Sequence, residues 1–152
     1  MGLKEYKAKR DLKKSREPVP RKENRKASKK IFVVHNHFSK KHHYDLRLEF
    51  EGVLKSWAIP KEPPMKKEIK RLAIQVEDHP LEYANFQGEI PEGHYGAGKV
   101  EIWDKGTYEL EDKKKNKIVF NLNGKKLKGK YVLVKANYGS KPGKSWLFFK
   151  TD

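Results

Sequence analysis

Two stretches of period-two alternation constrain this chain more than any other feature of it. Along residues 43–50, Tyr44, Leu46, Leu48 and Phe50 fall on one side of an extended backbone and His43, Asp45, Arg47 and Glu49 on the other. Along residues 71–77, Leu72, Ile74 and Val76 oppose Arg71, Ala73, Gln75 and Glu77. A strand that alternates in this way turns one face to a core and the other to polar surroundings. Shorter apolar runs at 31–34, 53–59, 100–103, 107–110, 118–122, 131–134 and 145–150 repeat the strand signal. Turn chemistry separates several of them, at Glu51-Gly52, Asp104-Lys105-Gly106 and Asn123-Gly124, the last being a strong hairpin pair. No segment carries a convincing amphipathic helix pattern. The expectation is an all-β fold with little helix, a small barrel or a sandwich.

A length of 152 residues suits one domain. Residues 1–30 are rich in Lys, Arg, Glu and Pro and poor in large apolar groups, so they read as a basic arm, partly flexible, that docks on the rest. Residues 31–152 then form the β domain. Lys and Arg number 36 against 20 Asp and Glu, a formal charge of +16, which favours a polyanionic partner through counterion release. Cysteine is absent, so disulfides and thiolate metal sites are excluded. No apolar run is long enough for a signal peptide or a membrane span, and a cytoplasmic monomer with no membrane partner is the expectation.

The chemistry concentrates on the polar face of residues 43–50. His43 and Asp45 leave one face of a strand about 6.5–7 Å apart along it, and His37, just upstream, can return beside them from a neighbouring strand. Two imidazoles and a carboxylate make an open site for Mn²⁺, Zn²⁺ or Fe²⁺, with positions left for water or a phosphate oxygen. A solvated polar face with incidental histidines is the alternative. Arg47 continues the same face, where a guanidinium beside a metal can clamp phosphate oxygens and neutralise developing charge. Pro80 points to a chain leaving its strand, which sets His79 on a loop where it can protonate a leaving oxygen or hold a phosphate oxygen, with Tyr83 close by. The polar face Arg71, Gln75, Glu77 is expected to converge on the first. The glycine-rich stretch 91–98 lacks a Gly-Lys-Ser/Thr ending and reads as a turn. Trp57, Trp103 and Trp146 read as core.

These residues lie in ordered motifs. Phe32-Val33-Val34, His37, His43-Tyr44-Asp45 and Arg47-Leu48-Glu49 resemble the signature of the 3′-phosphoesterase domain of DNA ligase D. So do residues 52–58 with Pro60-Lys61, then Val76-Glu77-Asp78-His79-Pro80-Leu81-Glu82-Tyr83, residues 88–98, and Trp103-Asp104 with Gly106. The resemblance runs from about Arg10 to the last strand, here with no ligase or polymerase module, as in a stand-alone member. It implies a closed or nearly closed β-barrel with a polar, metal-containing pocket. It implies release of a terminal ribonucleoside from a DNA 3′ end, then removal of the 3′-phosphate to leave 3′-OH, in DNA repair and end joining. Mn²⁺ is the implied cofactor, with Zn²⁺ or Co²⁺ as alternatives, and a DNA ligase, a polymerase and an end-binding protein are the implied partners. By position, His37, His43 and Asp45 match metal ligands, and Arg47 and His79 match phosphate-contacting residues beside Tyr83. Arg71, Glu77, Arg10, Asp11 and Glu17 match supporting positions. The family usually carries Gln where His35 stands, Leu at His42, Phe at Leu46 and Glu at His94, and the His35 difference is expected to lie near the metal. A non-enzymatic basic nucleic-acid-binding barrel and a metal nuclease of broad substrate range are the competing readings.

Overall fold

The computed structural model describes Leu3, Tyr6 and residues 29–136 and 143–152. Nine strands account for most of them: β1 (Lys30–Phe38), β2 (His43–Phe50), β3 (Val53–Ile59), β4 (Lys70–Pro80), β5 (Gly88–Ile90), β6 (Gly98–Lys114), β7 (Lys117–Asn123), β8 (Lys128–Lys135) and β9 (Ser145–Lys150). A 3₁₀ turn, Leu81–Asn85, follows β4. The sheet runs β1-β2-β3-β4-β9-β8-β7-β6, and β6 pairs back onto β1, so eight antiparallel strands close into a barrel with β5 added beside the start of β6. The all-β barrel expected from the sequence is the fold observed. Among the described residues no helix is long and apolar enough to cross a membrane.

Alternation places the core. Phe32 and Val34 from β1, Leu46, Leu48 and Phe50 from β2, and Trp57 and Ile59 from β3 point into the barrel. There they meet Phe120, Tyr131, Phe148 and Trp146 from the opposite wall. Phe120, Tyr131 and Phe148 stack with centroids 5.2–6.4 Å apart. Each fully buried ring of this kind contributes about 1.5–3 kcal/mol through removal of apolar surface from water. Trp57 and Trp146 are buried as expected, and Trp103 packs half-buried at the edge of this core. A second apolar layer lies outside the wall: Val33, Leu54 and Val100 face outward and are covered by Leu81, Tyr83, Ala84, Phe86 and Ile90 and by Tyr6.

Three local expectations are corrected. Asp104-Lys105-Gly106 is no turn but the middle of the 17-residue strand β6. Its first half pairs with β1 and its second with β7, and Thr107 and Tyr108 pair with both. Turn-forming residues sit there for other reasons. The Asp104 carboxylate accepts backbone N–H groups from Lys105, Lys125, Lys126 and Leu127, organising the β7–β8 loop. Gly106 lets the Asn123 carbonyl approach to 2.2 Å of where a Cβ would stand. The second correction is the face of β4. Leu54 pairs with His79 and Ser56 with Val76, so between these pairs Lys55 alone of β3 opposes Glu77 and Asp78 of β4. Ala73 points into the core, whereas Glu77, beyond this bulge, faces outward with His79. Third, β4 continues through Pro80, so His79 stands on a strand and not on a loop. At Glu51-Gly52 the expected turn is present, with φ of 49° and 82° at the two residues.

Candidate active site

The outward faces of β1 to β4 carry the polar cluster. His37 on β1 is the direct cross-strand partner of His43 on β2, which explains how a histidine six residues upstream returns beside the strand. Asp45 follows two residues on, on the same face. His37 Nδ1 lies 3.5 Å and His43 Nε2 3.2 Å from Asp45 Oδ2. One donor atom from each of the three residues lies within 4.8 Å of the others.

The other nitrogen of each ring is anchored on the backbone. His37 Nε2–H donates to the Gly96 carbonyl at 2.7 Å, and His43 Nδ1–H donates to the Lys41 carbonyl at 2.8 Å. In the neutral rings the lone pairs of His37 Nδ1 and His43 Nε2 therefore converge on the Asp45 oxygen. Three electron-rich atoms that close favour a positive charge among them, a proton or a metal ion, and second-layer carbonyls that fix imidazole tautomers are the usual support of a metal site. The donor set fits Mn²⁺, Zn²⁺ or Co²⁺. Electrostatics point the same way. Burial pushes the Asp45 carboxyl up, but the Arg47 charge and the His37 and His43 contacts outweigh it and hold it well below the ordinary carboxylate range. Burial pushes His43 down, yet the hydrogen bond and charge of Asp45 win and raise it above its ordinary 6.5.

Arg47, 3% exposed, is held on every side. Nη2 pairs with Asp45 Oδ2 at 3.4 Å, Nη1 donates to Ser56 Oγ at 2.9 Å, and Nε donates to His35 Nδ1 at 3.1 Å. The guanidinium carbon sits 4.8 Å over the Tyr83 ring. His79 Nδ1 lies 3.2 Å from Arg47 Nη1 and 3.0 Å from the Glu77 carbonyl; it accepts from the guanidinium in one tautomer and donates to the carbonyl in the other, so either bond fixes that ring. Tyr83 and Tyr6 meet the His79 ring edge-on at 4.7 and 4.9 Å. A cavity of about 290 Å³ opens over this cluster, walled by His37, His43, Asp45, Arg47, Glu77, His79 and Tyr83 and rimmed by Tyr95 and Gly96.

Of the residues singled out in the sequence, His37, His43, Asp45, Arg47, Glu77, His79 and Tyr83 are thus brought together around one cavity. Arg71 is not among its walls. It stands on β4 before the bulge, and its Nε donates to the Glu62 carbonyl at 2.7 Å. His35 lies beside the cluster, bonded to Arg47 and not among the cavity's walls. It is fully buried, with Nδ1 accepting from Arg47 and Nε2–H donating to the Phe86 carbonyl at 3.1 Å. Burial first, and then the Arg47 charge, lower its pKa from 6.5 to about 3, so it stays neutral. Arg10, Asp11 and Glu17 lie outside the described residues. Tyr6, from the same N-terminal stretch, is fully buried against His79 and Tyr83.

Sequence reasoning missed Ser56, Tyr6 and the backbone carbonyls of Lys41, Phe86 and Gly96. Ser56 left a readable trace: it pairs with Arg47 across β2 and β3, and a small hydroxyl there is the acceptor the guanidinium reaches. The carbonyls left none, because any residue carries one.

The model of the DNA Ligase D 3′-phosphoesterase domain matches residues 35–135. The chain is 44% identical over 149 residues to the multifunctional non-homologous end joining DNA repair protein LigD of Mycobacterium tuberculosis (strain H37Rv), covering 95% of this chain and 19% of that protein. It is 44% identical over 154 residues to LigD of Pseudomonas aeruginosa, 97% of this chain and 18% of that one. For LigD of Mycolicibacterium smegmatis the figures are 41% over 153 residues, 93% and 19%. The chain thus spans about a fifth of the length of these relatives. A match across two thirds of the chain, together with relatives at this identity, makes the chain a member of the DNA ligase D 3′-phosphoesterase domain family.

Proposed function

We propose that this protein is a metal-dependent phosphoesterase that heals DNA 3′ ends, releasing a terminal ribonucleoside and then the 3′-phosphate to leave 3′-OH. The observation that carries the reading is the shared Asp45 oxygen, approached by two imidazoles and by the Arg47 guanidinium in one cavity. The +16 charge suits a nucleic-acid substrate. Relatives named for non-homologous end joining support DNA ends as the substrate, and we infer a ligase, a polymerase and an end-binding protein as partners.

His37, His43 and Asp45 would hold the metal, which when bound neutralises phosphate charge and acidifies water. Arg47 binds the phosphate. Guanidinium has five N–H donors, and the contacts to His35, Ser56, His79 and Asp45 use at most four of them among the described residues, so an Nη2–H is left for a phosphate oxygen. Its position is fixed before substrate arrives, so its charge acts without reorganisation in the transition state. His79, pinned through Nδ1, presents the rest of its ring to the cavity to hold a non-bridging oxygen or to protonate the leaving oxygen, which is the ribonucleoside 5′ oxygen in the first step and the DNA 3′ oxygen in the second. Glu77 offers a carboxylate on the same wall to orient the attacking water. The walls keep bulk water off these groups: Arg47, His79 and Glu77 are each under 8% exposed.

The test is a primer assay. Oligonucleotides ending in 3′-phosphate or in one 3′-ribonucleotide are incubated with the protein, with and without Mn²⁺, beside His43→Ala. Mn²⁺-dependent conversion to 3′-OH by the wild type, lost in the variant, is expected. Salt-sensitive binding without turnover would instead make the protein a passive binder, and internal cuts a broad nuclease.

A further inference from the structure

We propose a second nucleic-acid contact, at the barrel mouth away from the active site, that takes an unpaired base and its flanking phosphates from a single strand. A cavity of about 170 Å³ opens there, floored by Phe50, Trp57 and Trp146 and rimmed by Lys113, Lys114, Lys115 and Lys135. Phe50 ends β2, whereas His43 begins it. Asp45 and Phe50 are five residues apart, roughly 17 Å along the strand at about 3.3 Å per residue, so this is not the catalytic pocket.

Three observations point to a ligand. The rim is cationic: Lys113, Lys114 and Lys115 are exposed and consecutive. Among the described residues only Lys114 of the four has a carboxylate partner, Asp112 at 3.8 Å. Second, ammonium groups hang over aromatic faces, Lys113 5.6 Å from the Phe50 centroid and Lys135 5.6 Å from that of Trp146. The buried rings thus hold the ammonium groups at the mouth of the cavity, where they can meet phosphates. Third, Trp57 is 1% exposed, and its indole Nε1–H has no hydrogen-bond partner among the described residues. The neighbouring Trp146 Nε1–H is satisfied, donating to Gln75 Oε1 at 3.2 Å. A buried, unpaired donor in a wall of rings suits a base carbonyl or ring nitrogen, while the ammonium rim suits phosphates.

The test is a salt titration with a labelled single-stranded ten-residue oligothymidylate, comparing wild type with Lys113→Gln/Lys114→Gln/Lys115→Gln. If each lysine neutralises one phosphate, the log–log salt slope falls by about 2, from roughly 0.7 per contact on single strands. Between 50 and 200 mM salt the wild type then loses about 20-fold more affinity than the variant. Trp103→Phe, which leaves Trp57 and Trp146 as the fluorophores, keeps the oligonucleotide-induced change in tryptophan emission. An unchanged slope in the lysine variant, or loss of the emission change in Trp103→Phe, overturns the proposal. The titration needs no turnover, so it stands or falls separately from the hydrolase assignment. Hydrolysis of a 3′-phosphorylated dinucleotide, too short to span both sites, is expected to be equal in wild type and the lysine variant.

Discussion

Replacing His35 by Gln should remove an acid sensitivity built into the fold. His35 is fully buried, accepts from Arg47 through Nδ1 and donates to the Phe86 carbonyl through Nε2. Burial first, and then the guanidinium charge, lower its pKa to about 3, since protonation would charge a sealed ring and set a second cation against Arg47. The sign follows from proton counting. Below pH 6.5 the unfolded chain binds a proton at His35 that the folded chain refuses, so the unfolded state gains. Stability from this residue is complete above pH 6.5 and is lost progressively as pH falls toward 3. At pH 5 the unfolded histidine is 1.5 units below its pKa of about 6.5, worth about 2 kcal/mol at ~1.36 kcal/mol per unit. For a domain of this size that is about 4–8 °C in Tm.

A glutamine can keep both contacts, Oε1 accepting from Arg47 and Nε2–H donating to Phe86, with nothing to titrate. Thermal unfolding of wild type and His35→Gln, followed by circular dichroism in chelator at pH 8, 7, 6 and 5, isolates the effect as a difference of differences. Other histidines cancel between the two proteins. The wild type should lose about 4–8 °C more than the variant between pH 8 and pH 5. Parallel Tm curves would refute the claim that His35 is held neutral by burial against Arg47.

Three further outcomes are expected. Arg47→Lys, which cannot satisfy His35, Ser56 and Asp45 together, should lower kcat on a 3′-phosphate primer about 10²–10³-fold, as loss of a preorganised charge donor does. Mn²⁺ at about a hundred times its Kd should raise the wild-type Tm by about 5–10 °C, from ~2.7 kcal/mol of linkage, and Asp45→Asn should abolish that rise in differential scanning fluorimetry. Asp104→Ala should strand the N–H groups of Lys105, Lys125, Lys126 and Leu127. It should cost about 3 kcal/mol in urea unfolding, with hydrolysis retained at temperatures where the variant is folded.

Much of this was legible because side-chain direction in a strand has period two. His43, Asp45 and Arg47 had to share a face whatever the fold, and Leu46 and Leu48 had to share the other. What failed to read through was anything set by a neighbour. The bulge between β3 and β4 reversed the expected company of Glu77, because one residue of β3 there opposes two of β4 and the face changes without a sign in β4 alone. Asp104 and Gly106 carried turn chemistry that another loop uses, so a 17-residue strand looked like two. The resemblance pointed to His35, and alternation puts it on the face of His37. Alternation does not say how deep a residue lies, and burial of the ring against Arg47 shows only in the structure.

The site's position on the outside of the barrel follows from the same core packing. Trp57, Phe120, Tyr131 and Phe148 fill the interior with packed rings, where Asp45 and Arg47 would lose hydration with little to replace it. On the outer wall the two charges pair with each other and with Ser56 and His35, while one 3₁₀ turn and Tyr6 supply cover. That cover is thin enough to leave a cavity of about 290 Å³ open to a phosphate. It is also thick enough to bury Arg47 to 3% exposure, which strengthens its pull on that phosphate.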